Sequence, residues 1–236
     1  MEKASRMEEL SQVYFSTAPA PEPEVDGPSA DAGDAASIAF IPVWNMVGRR
    51  GGAFLRSLRK ALEDQDIPSL QVCAQGGCFR IPGQKGKDLS GAGLRRRLME
   101  EKALSVLLLE FHGRIDGGSC SFLRSGDLSL LLVNEEIPLL REAYANLKRM
   151  TSARGGTLPT VIPLLTEETP WSRIAPHRFA EAASRFLRWR LPVWSGGDPS
   201  ECARRIGERL RRMRNRRERG MDFLLDRLSP LLEVAS

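Results

Sequence analysis

Segments that are apolar at almost every position alternate along this chain with amphipathic segments. Ile38–Val43, Val106–Glu110 and Leu128–Val133 are such apolar runs, and this character is typical of a strand buried on both faces. Segments 52–65 and 135–150 instead repeat their apolar residues at helical spacing. Buried strands separated by helices predict an α/β fold: a mainly parallel sheet with helices on both faces, followed by a helical C-terminal extension.

Composition divides the 236 residues into four parts. Residues 18–37 are rich in Ala, Pro, Asp and Gly and predict a disordered linker. The linker would tether residues 1–17 as an N-terminal docking peptide, with a frayed terminus as the alternative. The α/β domain is predicted over 38–200, and basic and amphipathic helices over 201–236. The docking residues would be Leu10, Tyr14 and Phe15.

Two further patterns bear on the compartment and on metal binding. No apolar run approaches the roughly 20 residues that span a bilayer, and the N-terminus lacks the apolar core of a signal peptide. We therefore predict a cytoplasmic protein. The four cysteines form no C-x-x-C pair and there are only two histidines, which predicts reduced thiols and no metal site.

Ligands of a parallel sheet bind at the carboxyl ends of its strands, where loops 44–52, 74–87 and 110–119 are expected to meet. Loop 44–52 opens a helix and carries Arg49 and Arg50, an arrangement that suits an anion. A phosphate loop also needs a lysine for the phosphates and a Ser or Thr hydroxyl for Mg²⁺. Loop 44–52 has neither, so either the phosphate site is lost or arginines have rebuilt it.

The third loop begins where a strand ends in Glu110 and His112. Glu110 suits a metal site, a helix cap or an arginine partner, whereas a lone histidine at a strand end is more often structural than a general base. No Ser or Cys nucleophile has a base at helical or turn spacing. We therefore predict that the chain has no catalytic residue.

Residues 110–150 read "EFHGRIDGGSCSFLRSGDLSLLLVNEEIPLLREAYANLKRM". This segment resembles the MinD/ParA class of deviant P-loop ATPases, and most closely its flagellar-number branch, FlhG/FleN. Its register follows that family without a gap, and a looser resemblance covers most of 38–206. The matched positions are Glu110 at the switch aspartate, Ile115 at the switch isoleucine, Gly126 and Asp127 at a strand start, Glu136 at a turn glutamate, and Glu142 to Ala145 with Lys148 in a helix signature.

The resemblance implies a nucleotide site that has lost its chemistry. The family's loop, Lys-Gly-Gly-x-Gly-Lys-Thr, has two lysines where this chain has none, the switch glycines are replaced, and the base-recognising asparagine is absent. A pseudo-ATPase without a cofactor is implied, with ATP and Mg²⁺ bound only under the rebuilt-loop alternative. The degenerate loop would be Gly48, Arg49, Arg50, Gly51 and Gly52, and the switch equivalents Glu110, His112 and Gly113.

The C-terminal part is strongly basic. Residues 204–219 contain nine arginines and two glutamates, which predicts an anionic partner: phospholipid, nucleic acid or an acidic protein. The next helix has an apolar face that either enters a membrane, as the resemblance to MinD-like proteins implies, or packs on the domain. The arginines are Arg204, Arg205, Arg209, Arg211, Arg212, Arg214, Arg216, Arg217 and Arg219, and the apolar face is Phe223, Leu224, Leu225, Leu228, Leu231 and Leu232.

Residue chemistry and resemblance together predict a non-catalytic MinD/FlhG-like scaffold or regulator. It would position or assemble a cell-envelope machine: a flagellum, a pilus, a secretion apparatus or a polysaccharide synthase. The expected partner is a protein, such as an active P-loop relative or a second copy of the chain, with peripheral attachment to the inner face of the cell membrane as a further expectation. Two alternatives stay open: a weak ATPase or nucleotide sensor with a rebuilt loop, and a ParA-like non-specific DNA-binding protein.

Overall fold

A computed structural model of the chain shows one sheet between two layers of helices. It describes residues 38–84, 88–112, 122–123, 125–150, 157–166, 168–194, 197–213 and 220–234. Several predicted sites lie outside the described residues: the docking peptide and linker (1–37), the switch positions Gly113 and Ile115, and the arginines Arg214, Arg216, Arg217 and Arg219.

Strands and helices alternate along the described chain as the sequence predicts. The strands are β1 (Ala39–Asn45), β2 (Ser69–Gln75), β3 (Cys78–Arg80), β4 (Val106–His112), β5 (Ser129–Val133) and β6 (Pro159–Pro163). The helices are α1 (Arg49–Glu63), α2 (Gly91–Glu100), α3 (Ile137–Met150), α4 (Pro170–Leu187), α5 (Pro199–Met213) and α6 (Met221–Val234).

The sheet has the order β3-β2-β4-β1-β5-β6. β1 pairs in parallel with β4 and β5, β2 with β4, and β5 with β6, while β2 and β3 are antiparallel. The predicted α/β fold with a mainly parallel sheet is therefore confirmed. The three apolar runs that predicted strands form β1, β4 and β5, which are all inner strands.

The segment 75–87, predicted as a glycine-rich loop, is not loop throughout, because β3 lies within it. Gly76 and Gly77 connect β2 to β3 with φ angles of 58° and 77°. Two successive residues at positive φ form the turn that closes a tight hairpin, and glycine adopts this conformation without a steric penalty. The short edge strand places Arg80 beside the carboxyl end of β2.

Two cores form because successive side chains of a strand point to opposite faces of the sheet. Ile41, Val43 and Leu108 belong to the core under α1 and α5. Phe40 and Trp44 belong to the core under α2, α3, α4 and α6. The polar residues described below lie on the α1 face, at the carboxyl ends of β1, β2 and β4.

Helix α6 packs onto the domain with its apolar face. A Cβ added at Gly91 would lie 1.9 Å from the carbonyl oxygen of Leu232, so α2 and α6 approach as closely as a glycine allows. Of the two alternatives for the apolar face, a membrane or partner surface and packing on the domain, the structure shows packing on the domain for the buried residues, whose removal from water stabilises the docked helix by about 25 cal/mol per Å². Those residues are Leu224, Leu225, Leu228 and Leu232, whereas Phe223 is 42% exposed and Leu231 half-buried.

An ion pair fixes α6 to the amino end of β1. Arg227 Nη1 donates to both carboxylate oxygens of Asp127 at 3.2 Å, and Asp127 Oδ2 also accepts from the backbone N–H of Phe40 at 2.8 Å. The Arg227 guanidinium lies over the rings of Phe40 and Phe223, at 5.5 and 5.3 Å from their centroids. Removing either partner would leave a largely buried charge unpaired, so this pair holds the helix in its docked position.

Candidate functional site

The carboxyl ends of β1, β2 and β4 open into a cleft of about 810 Å³. One wall is the start of α1, with Gly48, Arg49 and Gly52, and the opposite wall is the β2–β3 hairpin. The floor includes Glu110 from the end of β4. The expectation that loops 44–52, 74–87 and 110–119 meet is thus confirmed for their described residues.

Five polar side chains share the α1 face at this edge. Glu110 is in register with Val43 of β1 and with Cys73 of β2, and His112 is in register with Asn45. Residues in register, or two positions apart, point to the same face. Parallel pairing therefore brings Asn45, Gln71, Cys73, Glu110 and His112 together, although they come from three separate strands.

Glu110 is the centre of this group and is only 1% exposed. Its Oε1 accepts a hydrogen bond from Asn45 Nδ2 at 2.6 Å and lies 3.1 Å from His112 Nε2. Its Oε2 accepts from Gln71 Nε2 and from the Cys73 thiol, each at 2.9 Å. Four donors thus satisfy a carboxylate that is otherwise cut off from water.

These contacts set the protonation of the cluster. Burial raises the pKa of Glu110, but the hydrogen bonds from His112, Cys73, Asn45 and Gln71 outweigh burial and hold that pKa at about 2. The hydrogen bond to Glu110 raises the pKa of His112. Burial, and then the same carboxylate, raise the pKa of the Cys73 thiol to about 12. At neutral pH Glu110 is therefore charged, while the Cys73 thiol is neutral and a poor nucleophile.

A short turn joins β1 to α1 and is filled by the side chain of Asn45. Only Met46, Val47 and Gly48 separate the two elements. Asn45 Oδ1 accepts from the backbone N–H of Val47 at 3.0 Å, and Asn45 Nδ2 donates to the carbonyl oxygen of Gly48 at 2.8 Å. A Cβ added at Gly51 would lie 2.0 Å from Asn45 Oδ1. The first turn of α1 therefore rests on the Asn45 amide, and only glycine fits at position 51.

Arginines give the mouth of the cleft a positive charge. Arg49, Arg56 and Arg80 line it and are exposed, and Arg80 pairs with Asp88 at 2.8 Å. Arg50, the other arginine of the predicted loop, instead donates from Nη1 to the carbonyl oxygen of Leu165 at 3.1 Å. It therefore lies on the side of β6. The cleft combines a basic mouth with a buried carboxylate at its floor.

The fold also assembles a group of metal-ligand types that the sequence does not reveal. The sulfur of Cys73, a carboxylate oxygen of Glu110 and a ring nitrogen of His112 lie within 4.8 Å of one another. Spacing in the sequence does not reveal this group, because Cys73 and Glu110 meet only through the pairing of β2 with β4; the prediction of no metal site stays a prediction. Gln71 and Asn45 were also not predicted as site residues from the sequence. Each is a polar residue within an otherwise apolar strand, and that was the available signal.

Some arginines in the described part of the basic helix form ion pairs within the helix. Arg204 and Arg205 each pair with Glu201 at 2.7 Å, and Arg204 also pairs with Glu208. The remaining described arginines, Arg209, Arg211 and Arg212, are exposed and make no ion pair within the described ranges. The prediction of an anionic partner for this helix stays a prediction.

Apolar side chains are exposed at the starts of α3 and α4. Ile137 is 49% exposed, Trp171 44% and Ile174 47%. The indole Nε1 of Trp171 donates to the carbonyl oxygen of Glu135 at 3.1 Å, which holds the ring near the start of α3. Glu168 lies two residues before α4, is exposed and pairs with Arg173 at 3.3 Å. We call Ile137, Trp171 and Ile174 the apolar patch; exposed charges of both signs, Glu136, Glu168 and Arg173, lie beside it in the chain.

No helix in the described ranges is long and apolar enough to cross a membrane. Neither known protein-family models nor curated proteins match the chain. What the chain does must therefore be inferred from its own residues.

Glu110→Gln is expected to destabilise the domain by about 2–4 kcal/mol at neutral pH, because four donors would face an amide with one acceptor oxygen. The folded-state pKa of Glu110, about 2, lies below its ordinary value of 4.5. Its contribution to stability is therefore present above about pH 4.5 and lost as the pH falls toward 2. Urea denaturation at pH 7 and at low pH measures both effects.

The control for this substitution is Glu168→Gln, whose side chain is 84% exposed and whose effect should stay within about 0.5 kcal/mol. Equal unfolding midpoints for Glu110→Gln and Glu168→Gln at neutral pH would contradict the proposed role of the carboxylate.

Proposed function

We propose that this chain is a non-catalytic scaffold or regulator that acts by binding a protein partner. The observation that carries the proposal is the closed turn between β1 and α1, in which Asn45 occupies the position that a phosphate would need. The scaffold is retained, with its parallel sheet and the helix that starts at the sheet edge. The groups that would bind and cleave a phosphoanhydride are replaced.

A phosphate loop surrounds its ligand with backbone N–H groups. Here only three residues connect β1 to α1. The N–H of Val47, which would face the anion, is bound to Asn45 Oδ1. Both hydrogens of the Asn45 amide are used as well, on Gly48 and on Glu110. These contacts support the loss of phosphate binding, because an incoming phosphate would have to break them.

The apolar patch supports a protein partner. Tryptophan is common among the residues that contribute most of the binding energy of a protein interface. The exposed ring of Trp171 is held in one orientation by its hydrogen bond to the carbonyl oxygen of Glu135. The neighbouring charges, Glu136 and the Glu168–Arg173 pair, are exposed and favour a partner that offers an apolar side chain with polar groups around it. The patch lies at the carboxyl edge of the sheet, where α3 and α4 begin.

The resemblance of residues 110–150 to the flagellar-number branch directs the proposal toward a cell-envelope machine. A relative that keeps an active phosphate loop would be a suitable partner. A scaffold that does not hydrolyse nucleotide can be regulated by a partner that does. A nucleotide sensor is the second candidate, because Arg49, Arg56 and Arg80 make the cleft attractive to anions. The two functions differ in whether a nucleotide binds at all.

Calorimetry distinguishes the two candidates. We expect no saturating isotherm with Mg-ATP or Mg-GTP at millimolar concentration, because no residue replaces the lysine and the hydroxyl of a phosphate loop. A saturating isotherm that Arg49→Ala and Arg56→Ala both abolish, and that Arg50→Ala leaves unchanged because Arg50 lies outside the cleft, would show nucleotide binding in the cleft and would remove the support for a non-catalytic scaffold.

The apolar patch is tested by Trp171→Ser against Phe186→Ser, an equally drastic change at a 66% exposed position on the same helix. A partner captured by cross-linking in the native host would be identified, purified and titrated with each variant. Trp171→Ser should weaken binding about tenfold or more, while Phe186→Ser should not. Equal affinity for wild type and Trp171→Ser would exclude the patch as the interface.

A further inference from the structure

The floor of the cleft carries three different metal-ligand types on two strands. Cys73 supplies a thiol, Glu110 a carboxylate and His112 an imidazole, and their ligand atoms all lie within 4.8 Å of one another. Tetrahedral zinc with bonds of about 2.0–2.3 Å holds its ligand atoms about 3.4 Å apart. The Cys73 sulfur lies 2.9 Å from Oε2 of Glu110 and His112 Nε2 lies 3.1 Å from Oε1, so the two donors flank the carboxylate. Side-chain rotation must bring the sulfur and the nitrogen, which lie within 4.8 Å of one another, toward a single ion.

We propose that Cys73, Glu110 and His112 form a zinc-binding site at the floor of the cleft, a function distinct from partner binding and contrary to the expectation of no metal. A thiolate, an imidazole and a carboxylate together suit a borderline cation better than Mg²⁺ or Ca²⁺, which prefer oxygen ligands. Three protein ligands that leave a position open to a cleft are the pattern of a zinc site that accepts a further ligand.

Outer contacts hold the central ligand in place. Asn45 Nδ2 donates to one oxygen of Glu110 and Gln71 Nε2 to the other, and both amides are buried. Ligating carboxylates are commonly oriented by such hydrogen bonds. The strands that carry the ligands are inner strands of the sheet; Cys73 and Glu110 are paired on both sides, and His112 is paired with Asn45 of β1. The site is therefore preorganised.

A second observation points to an unfilled coordination or hydrogen-bonding position. Gln71 is 1% exposed, yet its carbonyl oxygen Oε1 has no hydrogen-bond partner among the described residues. A buried acceptor without a donor is costly, and a bound metal with a water ligand would bring a donor into this region.

The charges of the cleft are compatible with a divalent cation. The thiolate of Cys73 and the carboxylate of Glu110 neutralise it; the thiol proton is released to solvent on binding, and Nε2 of His112 gives up the proton that it shares with Glu110. The complex of the cation with the thiolate and the carboxylate is itself neutral beside Arg49, Arg56 and Arg80. These arginines favour an anion as the ligand in the open position. His112 is exposed, so the metal reaches the floor from the mouth of the cleft.

Cobalt titration of the full chain tests the site. Chelator-treated, reduced protein is titrated with Co²⁺ and followed by the sulfur-to-metal charge-transfer absorption in the near ultraviolet, and Zn²⁺ is then added as a competitor. We expect saturation at one equivalent, a spectrum typical of tetrahedral Co²⁺ with thiolate, and displacement by Zn²⁺. Cys73→Ser should abolish the charge-transfer band, and His112→Gln should weaken affinity by about 100-fold or more.

Matched controls exist for both ligands. Cys78 is the exposed cysteine of the neighbouring hairpin strand, and His177 is the second histidine, exposed on α4. Cys78→Ser and His177→Gln should bind Co²⁺ as the wild type does. The proposal is overturned if wild type shows no saturable band, if Cys73→Ser and His112→Gln bind as tightly as wild type, or if Cys78→Ser removes the band.

Discussion

The edge of this sheet depends on one buried carboxylate. Glu110 is charged, almost fully excluded from solvent, and must receive a hydrogen bond at each of its lone-pair positions. Asn45, Gln71, Cys73 and His112 supply these bonds from three adjacent strands. The register of β1, β2 and β4 and the composition of the α1 face follow from this requirement, because a slip by one residue would turn these donors to the opposite face.

The same carboxylate explains why the start of α1 is closed. Asn45 reaches Glu110 with one amide hydrogen and the turn at Gly48 with the other, and Gly51 allows the helix to lie directly on it. A helix N-terminus attracts anions, but here an uncharged amide fills the space beneath it. A strand followed by a helix N-terminus can bind phosphate. In this chain the same arrangement forms a basic cleft with a fixed carboxylate at its floor. The apolar patch, which includes Trp171, lies at the starts of α3 and α4.

Periodicity in the sequence was sufficient for the fold but not for the site. Unbroken apolar runs predict β1, β4 and β5, since only a strand covered on both faces tolerates them. The edge strand β3 is too short to show an alternation of apolar and polar residues. The Gly76-Gly77 pair before it is as typical of a loop as of a hairpin turn. The docking of α6 depends on Gly91 and on the Arg227–Asp127 pair, which lie far from each other in the chain, so an apolar helix face alone does not reveal whether it meets membrane or core.

The cluster around Glu110 could not be predicted from local sequence patterns. Cys73 and His112 are distant in sequence, and their proximity follows only from the pairing of β2 with β4. The available signal was a polar residue at alternate positions near the carboxyl ends of apolar strands, as at Gln71 and Asn45. Such a residue on a buried face must find a partner, and the parallel register determines which one it finds.

The side-chain amide of Asn45 tests the closed turn most directly. In a ¹H–¹⁵N spectrum of the full chain, its two protons should exchange slowly with solvent, and their resonances should not move when Mg-ATP is added to millimolar concentration. Exchange as fast as that of an exposed asparagine, or a saturable shift with Mg-ATP, would show that the turn opens to a phosphate and would contradict the account given above.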